Sequence, residues 1–138
     1  MANLIYNSYK ADQMNGAIDL DTDTIKVMLV TSTYAPLATH AKRSDVTNEV
    51  AGTGYTAGGE IIASSVVSVV AGKGRWDAID TTWATSTITA RGAVLYKSRG
   101  GAATADELIG YLDFTTDRIS SNGDFTIQWS ATGILELA

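Results

Sequence analysis

Asp124-Phe125-Thr126-Ile127-Gln128-Trp129-Ser130-Ala131-Thr132-Gly133-Ile134-Leu135-Glu136-Leu137 decides the fold class. Phe125, Ile127, Trp129, Ala131, Gly133, Leu135 and Leu137 alternate with Asp124, Thr126, Gln128, Ser130, Thr132, Ile134 and Glu136. Successive side chains of a strand point to opposite faces, so this period of two predicts one strand. Its apolar side lies on a core, and Trp129 belongs to that core. Just upstream stands Asn122-Gly123, the dipeptide most typical of a tight hairpin turn. Residues 116–123 therefore read as a connection, and Glu107 to Phe114 as the strand before it.

Further upstream, Thr85 to Lys97 reads as a long strand. Ile88, Ala90, Gly92, Val94 and Tyr96 share one face. Thr87, Thr89, Arg91, Ala93, Leu95 and Lys97 form a partly wet second face. Gly100-Gly101 marks a loop. Thr24 to Thr31 predicts an interior strand, with Ile25, Val27 and Leu29 on one side and Lys26, Met28 and Val30 on the other. Pro36 cannot continue a ladder, so the strand ends by Tyr34-Ala35-Pro36. Glu60 to Val70 has β character, Gly72-Lys73-Gly74 a turn, and Arg75 to Asp80 a short strand carrying Trp76 and Ile79.

Helical signals are few. Tyr6, Tyr9, Gln13 and Met14 share a face at helical spacing, with Asn7 or Ser8 as cap and Gly16 near the end. A second turn or two fits residues 42–50, capped by Ser44. About six or seven strands without β-α-β alternation define an all-β protein, an antiparallel β-sandwich of which a jelly roll is one version. Residues 1–138 form a single domain with an N-terminal arm or short helix over about residues 1–18. A sandwich has sheet edges, which are either guarded or used for pairing.

Composition narrows the function classes. At 138 residues the chain buries roughly two-thirds of its unfolded surface and needs no staples. It has no cysteine, so neither a disulfide framework nor a thiolate metal site is open to it. Met1 to Tyr6 has no basic segment followed by an apolar one, and the apolar stretch Ile61 to Ala71 is interrupted by serines. Neither a signal peptide nor a membrane span is expected. The net charge is −5 and the densest basic group is Lys42-Arg43, which argues against nucleic acid as a partner.

No catalytic or cofactor constellation emerges. His40 is the one histidine and reads as a surface or loop residue, with no Gly-x-Ser-x-Gly elbow to serve. Asp19, Asp21 and Asp23 alternate, but no turn glycine and distal glutamate complete a calcium loop, so they read as a solvated lead-in to a strand. Gly52-Thr53-Gly54-Tyr55-Thr56-Ala57-Gly58-Gly59 superficially resembles a phosphate loop; the next segment is β-rich and residues 52–60 contain no lysine. Trp76, Trp83 and Trp129 are candidates for core, interface or sugar platform, and Trp83, flanked by threonine, is expected near the surface. No metal, no cofactor and no catalytic residue are expected.

Several stretches taken together resemble the small capsid decoration, or cement, proteins of tailed bacteriophages. They are Thr24 to Pro36, His40 with Ser44-Asp45-Val46, Gly52 to Gly59, Thr87 to Val94, Leu112-Asp113-Phe114 and Asn122 to Thr126. The resemblance implies a β-sandwich made in the bacterial cytoplasm. It coats the outer surface of the virion capsid, reinforces contacts between major capsid protein subunits, and associates with copies of itself as a dimer or trimer. A tail- or fibre-associated virion protein and a carbohydrate-binding module are the alternatives. Contact with the shell is expected from Ala2 to Tyr9 and from Gly52 to Gly59, chiefly through Tyr6, Tyr9, Gly54, Tyr55 and Gly58. These segments are nearly uncharged and carry aromatics that offer large area at low entropy cost. The opposing expectation is that the tyrosines pack a helix on the sandwich and the glycine loop is a connector.

Overall fold

Ile25, Val27 and Leu29 point to one side of their strand, Met28 and Val30 to the other, and all five are buried. A strand apolar on both faces is best satisfied inside a sheet covered on both faces, and that is where the chain puts this one. The computed structural model describes the whole chain, Met1–Ala138. Its elements are β1 (Leu4–Ile5), α1 (Asn7–Met14), β2 (Ile25–Val30), β3 (Glu60–Ile61), β4 (Val66–Val70), β5 (Lys73–Asp77), β6 (Thr81–Lys97), β7 (Leu108–Ile127) and β8 (Leu135–Leu137). Strand takes 46% of the chain and helix 10%, so the all-β class stands. One sheet has the order β1-β7-β6-β2-β3 and the other β4-β5-β8, with antiparallel pairing throughout. The arrangement is sandwich-like, built on one long β6–β7 hairpin rather than the double Greek key of a jelly roll.

The main core lies between the sheets. Val27, Leu29, Ile88, Leu95, Ile109 and Phe125 of the large sheet meet Trp76 and Ile134 of the small-sheet side. A second cluster covers the outer face of the large sheet, where Tyr6, Met28, Val30, Tyr34, Val94, Tyr96, Leu108 and Tyr111 pack together.

The β6–β7 hairpin departs from the sequence reading in three places. Residues 116–123 are not a connection: β7 runs through them, and the turn between β6 and β7 is the segment Ser98–Glu107. There Arg99 donates twice to the Glu107 carboxylate, at 2.6 and 2.7 Å, and Arg43 donates to buried Asp106 at 2.8 Å. The Arg99 guanidinium holds the Glu107 carboxyl below its ordinary range. Asn122 keeps the left-handed backbone that suggested a turn (φ 51°), but it occupies a bulge, as do Thr85 (φ 49°) and Thr115 (φ 72°). Side chains of neighbouring residues tie each bulge. Asp124 accepts from Thr85 N, Asp113 from Thr115 N, and Thr87 Oγ1 from Asn122 N.

A bulge also changes which residues of β6 face the core. Ile88 and Ala90 lie in the main core; past the register shift between Ala90 and Gly92, Ala93 and Leu95 take over. Val94 and Tyr96 turn to the second cluster, so Ala93 and Leu95 are not on a partly wet face.

The closing segment is also not one strand. β7 ends at Ile127 and the chain turns at Ala131-Thr132 before β8 joins the small sheet. Gly133 (φ 92°) passes so close to β5 that an added Cβ would lie 2.7 Å from Trp76 O and from Arg75 Cγ. Ile134, on the polar side of the sequence pattern, is fully buried, and Leu137 is 65% exposed.

Three further expectations are corrected. Trp83 is buried, stacked on Tyr55 at 6.1 Å and edge-on to Phe125 at 6.0 Å, because Thr82 takes the exposed face of the strand and Thr81 is buried on the same face as the ring. α1 has Tyr6 as its N-cap residue, with no side-chain cap, and Met14 is 87% exposed. Residues 43–45 make a single 3₁₀ turn tied by Asp45, which accepts from Ala41 N and Lys42 N; Ser44 lies inside it. Trp129 is buried as read from its alternation, with Nε1 donating to Ile79 O at 2.9 Å.

Candidate contact surfaces

The expected contact residues divide sharply. Tyr6 is fully buried, with its hydroxyl 2.9 Å from that of Tyr34, which in turn lies 2.9 Å from His40 Nδ1. Tyr9 is also buried, and burial pushes its phenol up to about 12. Both side chains anchor β1 and α1 to the sheets, so neither offers area to a partner. Short helices need such anchoring, because they are marginal on their own.

The glycine loop is wired to the large sheet in a similar way. Tyr55 donates to Glu49 at 2.6 Å and accepts from Leu29 N at 3.0 Å. Burial, followed by the Glu49 bond, raises its phenol above the ordinary range. Gly58 is buried, donates to the same Glu49 oxygen at 2.7 Å, and its carbonyl accepts from Tyr96 at 2.6 Å. Thr53 O accepts from Thr87 N at 2.9 Å. What remains outside is Ala51 to Gly54, Thr56 and Ala57, all exposed and all uncharged. Of the five named residues only Gly54 lies fully on this outer face; Tyr55 is half-buried, while Tyr6, Tyr9 and Gly58 lie inside. The loop is a fixed, neutral platform rather than a flexible arm.

The acidic lead-in folds on itself. Asp19 accepts from the amides of Asp21 and Thr22, while Asp23 accepts from Asp19 N and pairs with Lys97 at 2.8 Å. The carboxylates of Asp19 and Asp23 therefore cap a turn, and the three do not converge. Trp76, Trp83 and Trp129 are each at most 6% exposed, so no two of them form an open platform for a sugar ring.

A second surface was not singled out from the sequence. β4, Val66-Val67-Ser68-Val69-Val70, is the outermost strand of the small sheet, and every residue of it is exposed. Val69 is 78% exposed and Val66 56%. Val67 and Val69 share a face with their cross-strand neighbours Trp76 and Gly74 and, beyond them, Leu135 and Leu137. That face borders an open groove of about 410 Å³, whose opposite wall includes Ile5, Tyr9 and Leu20. The signal was in the sequence: a five-residue strand apolar on both sides is either wholly buried or wholly uncovered. Nothing local tells which, because that depends on where β5 stops the sheet.

No protein-family model, no curated protein and no solved structure matches this chain.

Proposed function

We propose that this chain is a non-enzymatic virion structural protein that binds the outer surface of a bacteriophage capsid and reinforces contacts between major capsid subunits. The observation that carries the reading is the pair of uncharged surfaces held on a rigid frame, the platform at residues 51–57 and the uncovered β4 wing. Both suit protein association. A large uncovered apolar patch is costly to a free monomer and marks an interaction site. The resemblance of the sequence to capsid decoration proteins supplies the shell as the partner. Six of the ten basic side chains are engaged in ion pairs, which leaves little free positive charge to attract phosphate. A tail- or fibre-associated role uses the same surfaces. A carbohydrate-binding role is disfavoured by the burial of all three tryptophans.

The platform is the part we assign to the shell. Particles lacking the chain, incubated with purified protein, should be coated by the wild type. Thr53→Glu combined with Ala57→Glu places two charges on the neutral platform. It should lower affinity at least about tenfold, roughly 1.4 kcal/mol, with an unchanged melting temperature. Full occupancy by this variant would remove the platform as the contact. Binding of the wild type to tails and not to heads would replace the capsid reading by the tail reading.

A further inference from the structure

We propose that β4 is the two-fold interface of a homodimer, in which Val66–Val70 of one copy pairs antiparallel with Val66–Val70 of a second about Ser68. The idea rests on the reading of the chain as an assembly protein only for its setting; dimerisation itself is a property of the free protein.

The first argument is the sequence of the strand. Val66-Val67-Ser68-Val69-Val70 is the same read in either direction. A two-fold axis through Ser68 sets Val67 opposite Val69 of the second copy and Val66 opposite Val70. An isologous interface requires this kind of self-complementarity.

The second argument is the direction of the backbone. β4 and β5 are joined by the two-residue turn Ala71-Gly72, both at positive φ (52° and 78°), with Val70 opposite Lys73. A tight turn of this type closes on a hydrogen-bonded pair, and such pairs alternate along an antiparallel ladder. Val70, Ser68 and Val66 therefore spend their N–H and C=O groups on β5. Those of Val67 and Val69 point to the open side. In the two-fold register these two residues face each other across the axis, so each copy's free groups meet the other's. Ser68 then falls opposite Ser68 in a non-hydrogen-bonded position, where Cα atoms approach to about 4.5 Å.

The third argument is charge. Two molecules of net charge −5 repel at long range, yet β4 carries no charge and meets its copy without a like-charge contact. Other terminal strands are guarded: β1 and β3 are two residues long, and β8 is three residues long and carries Glu136. β4 has none of the usual guards of lysine, proline or bulge against edge pairing.

The fourth argument is area. Pairing one five-residue strand alone falls short of the roughly 1,000 Å² expected of a lasting interface. Cross-strand partners share a face, however, so Val69 of the second copy lies beside Val67 at the mouth of the groove lined by Ile5, Tyr9, Leu20 and Trp76. Each hairpin tip thus covers part of the other copy's groove. The two small sheets become one six-stranded sheet.

The chain has no cysteine, which makes the axis directly testable. Under mild oxidation Ser68→Cys should convert to a disulfide-linked dimer at least about tenfold faster than Ser121→Cys, an exposed control on β7, because pairing raises the effective concentration at the axis. In sedimentation over roughly three decades of concentration, the wild type should pass from monomer to dimer, as mass action demands. Val69→Lys should remain monomeric with an unchanged melting temperature. A wild type that stays monomeric throughout overturns the proposal. So does a wild-type dimer that Val69→Lys leaves intact, or equal cross-linking of the two cysteine variants. None of these readouts involves a shell, so failure here is distinct from failure of the capsid reading.

Discussion

Gly59→Ala should leave little folded protein. Gly59 adopts φ 77°, and a Cβ there would run into the carbonyl oxygen of Val27 and lie 2.7 Å from Met28 Cα. Both are backbone atoms of β2, which is held on its other side by β6 and cannot give way. The expected loss is at least about 3 kcal/mol, combining strain at positive φ with displacement of a core strand. Gly72→Ala separates these contributions. Gly72 has nearly the same φ, 78°, and nothing within 4 Å of the added atom, so it should cost only about 1–2 kcal/mol. Denaturant midpoints of the two variants measure the difference. Equal losses would mean that residues 58–59 do not press on β2.

Trp83→Ala should cost about 3–5 kcal/mol, the range for emptying a large buried aromatic site. The ring is 1% exposed between Tyr55 and Phe125, and its removal also takes away the surface on which Tyr55 stacks. Urea unfolding should show a lower midpoint with an unchanged slope, the signature of lost stability rather than an altered unfolded state. A loss under about 1 kcal/mol is the scale of surface positions and would put Trp83 outside the core.

The contrast between Trp83 and Trp129 shows what the sequence can carry. Trp129 lies at the end of a clean alternation and was legible as core. Trp83 stands among Thr81, Thr82 and Thr85, and a rule that reads threonine as wet misplaces it. Thr82 and its neighbour across the ladder, Thr126, bond to each other on the outer face, and the tryptophan takes the inner one. β2 was read correctly on both faces, because six residues without a bulge keep their phase. β6 was read correctly only up to Ala90, since a register shift inverts every side chain beyond it. Gly92, at the shift, is the one local hint, since a glycine inside a strand often marks a bulge; Thr85 and Thr115 take positive φ against their own preference, under tertiary constraint. Asn122-Gly123 did announce its left-handed backbone, and the error lay in assuming that such backbone means a hairpin turn.

The burial of Tyr6 and Tyr9 was hidden for a different reason. Tyr6, Tyr9 and Tyr55 are aromatics in uncharged segments, a pattern shared by interfaces and cores. Each hydroxyl or ring has found an intramolecular partner or burial, which only long-range pairing could reveal. Glu49, expected within a helical turn over residues 42–50, accepts instead from both Tyr55 and Gly58 and fixes the loop in place.

The order of the strands has a consequence for synthesis. β2 waits for β6, β1 for β7, and the small sheet for β8, so neither sheet can be completed until the C-terminal third has left the ribosome. The β6–β7 hairpin can close from Tyr96 and Leu108, near its turn, toward Thr81 and Ile127, since short loops cost the least entropy to form. Before that, the one tight hairpin already available to the nascent chain is β4–β5, whose valines stay uncovered in the finished molecule. Neighbouring chains on one polysome would thus meet first through their stickiest strand, and the speed of the later hairpin decides whether that meeting ends in assembly or in aggregation.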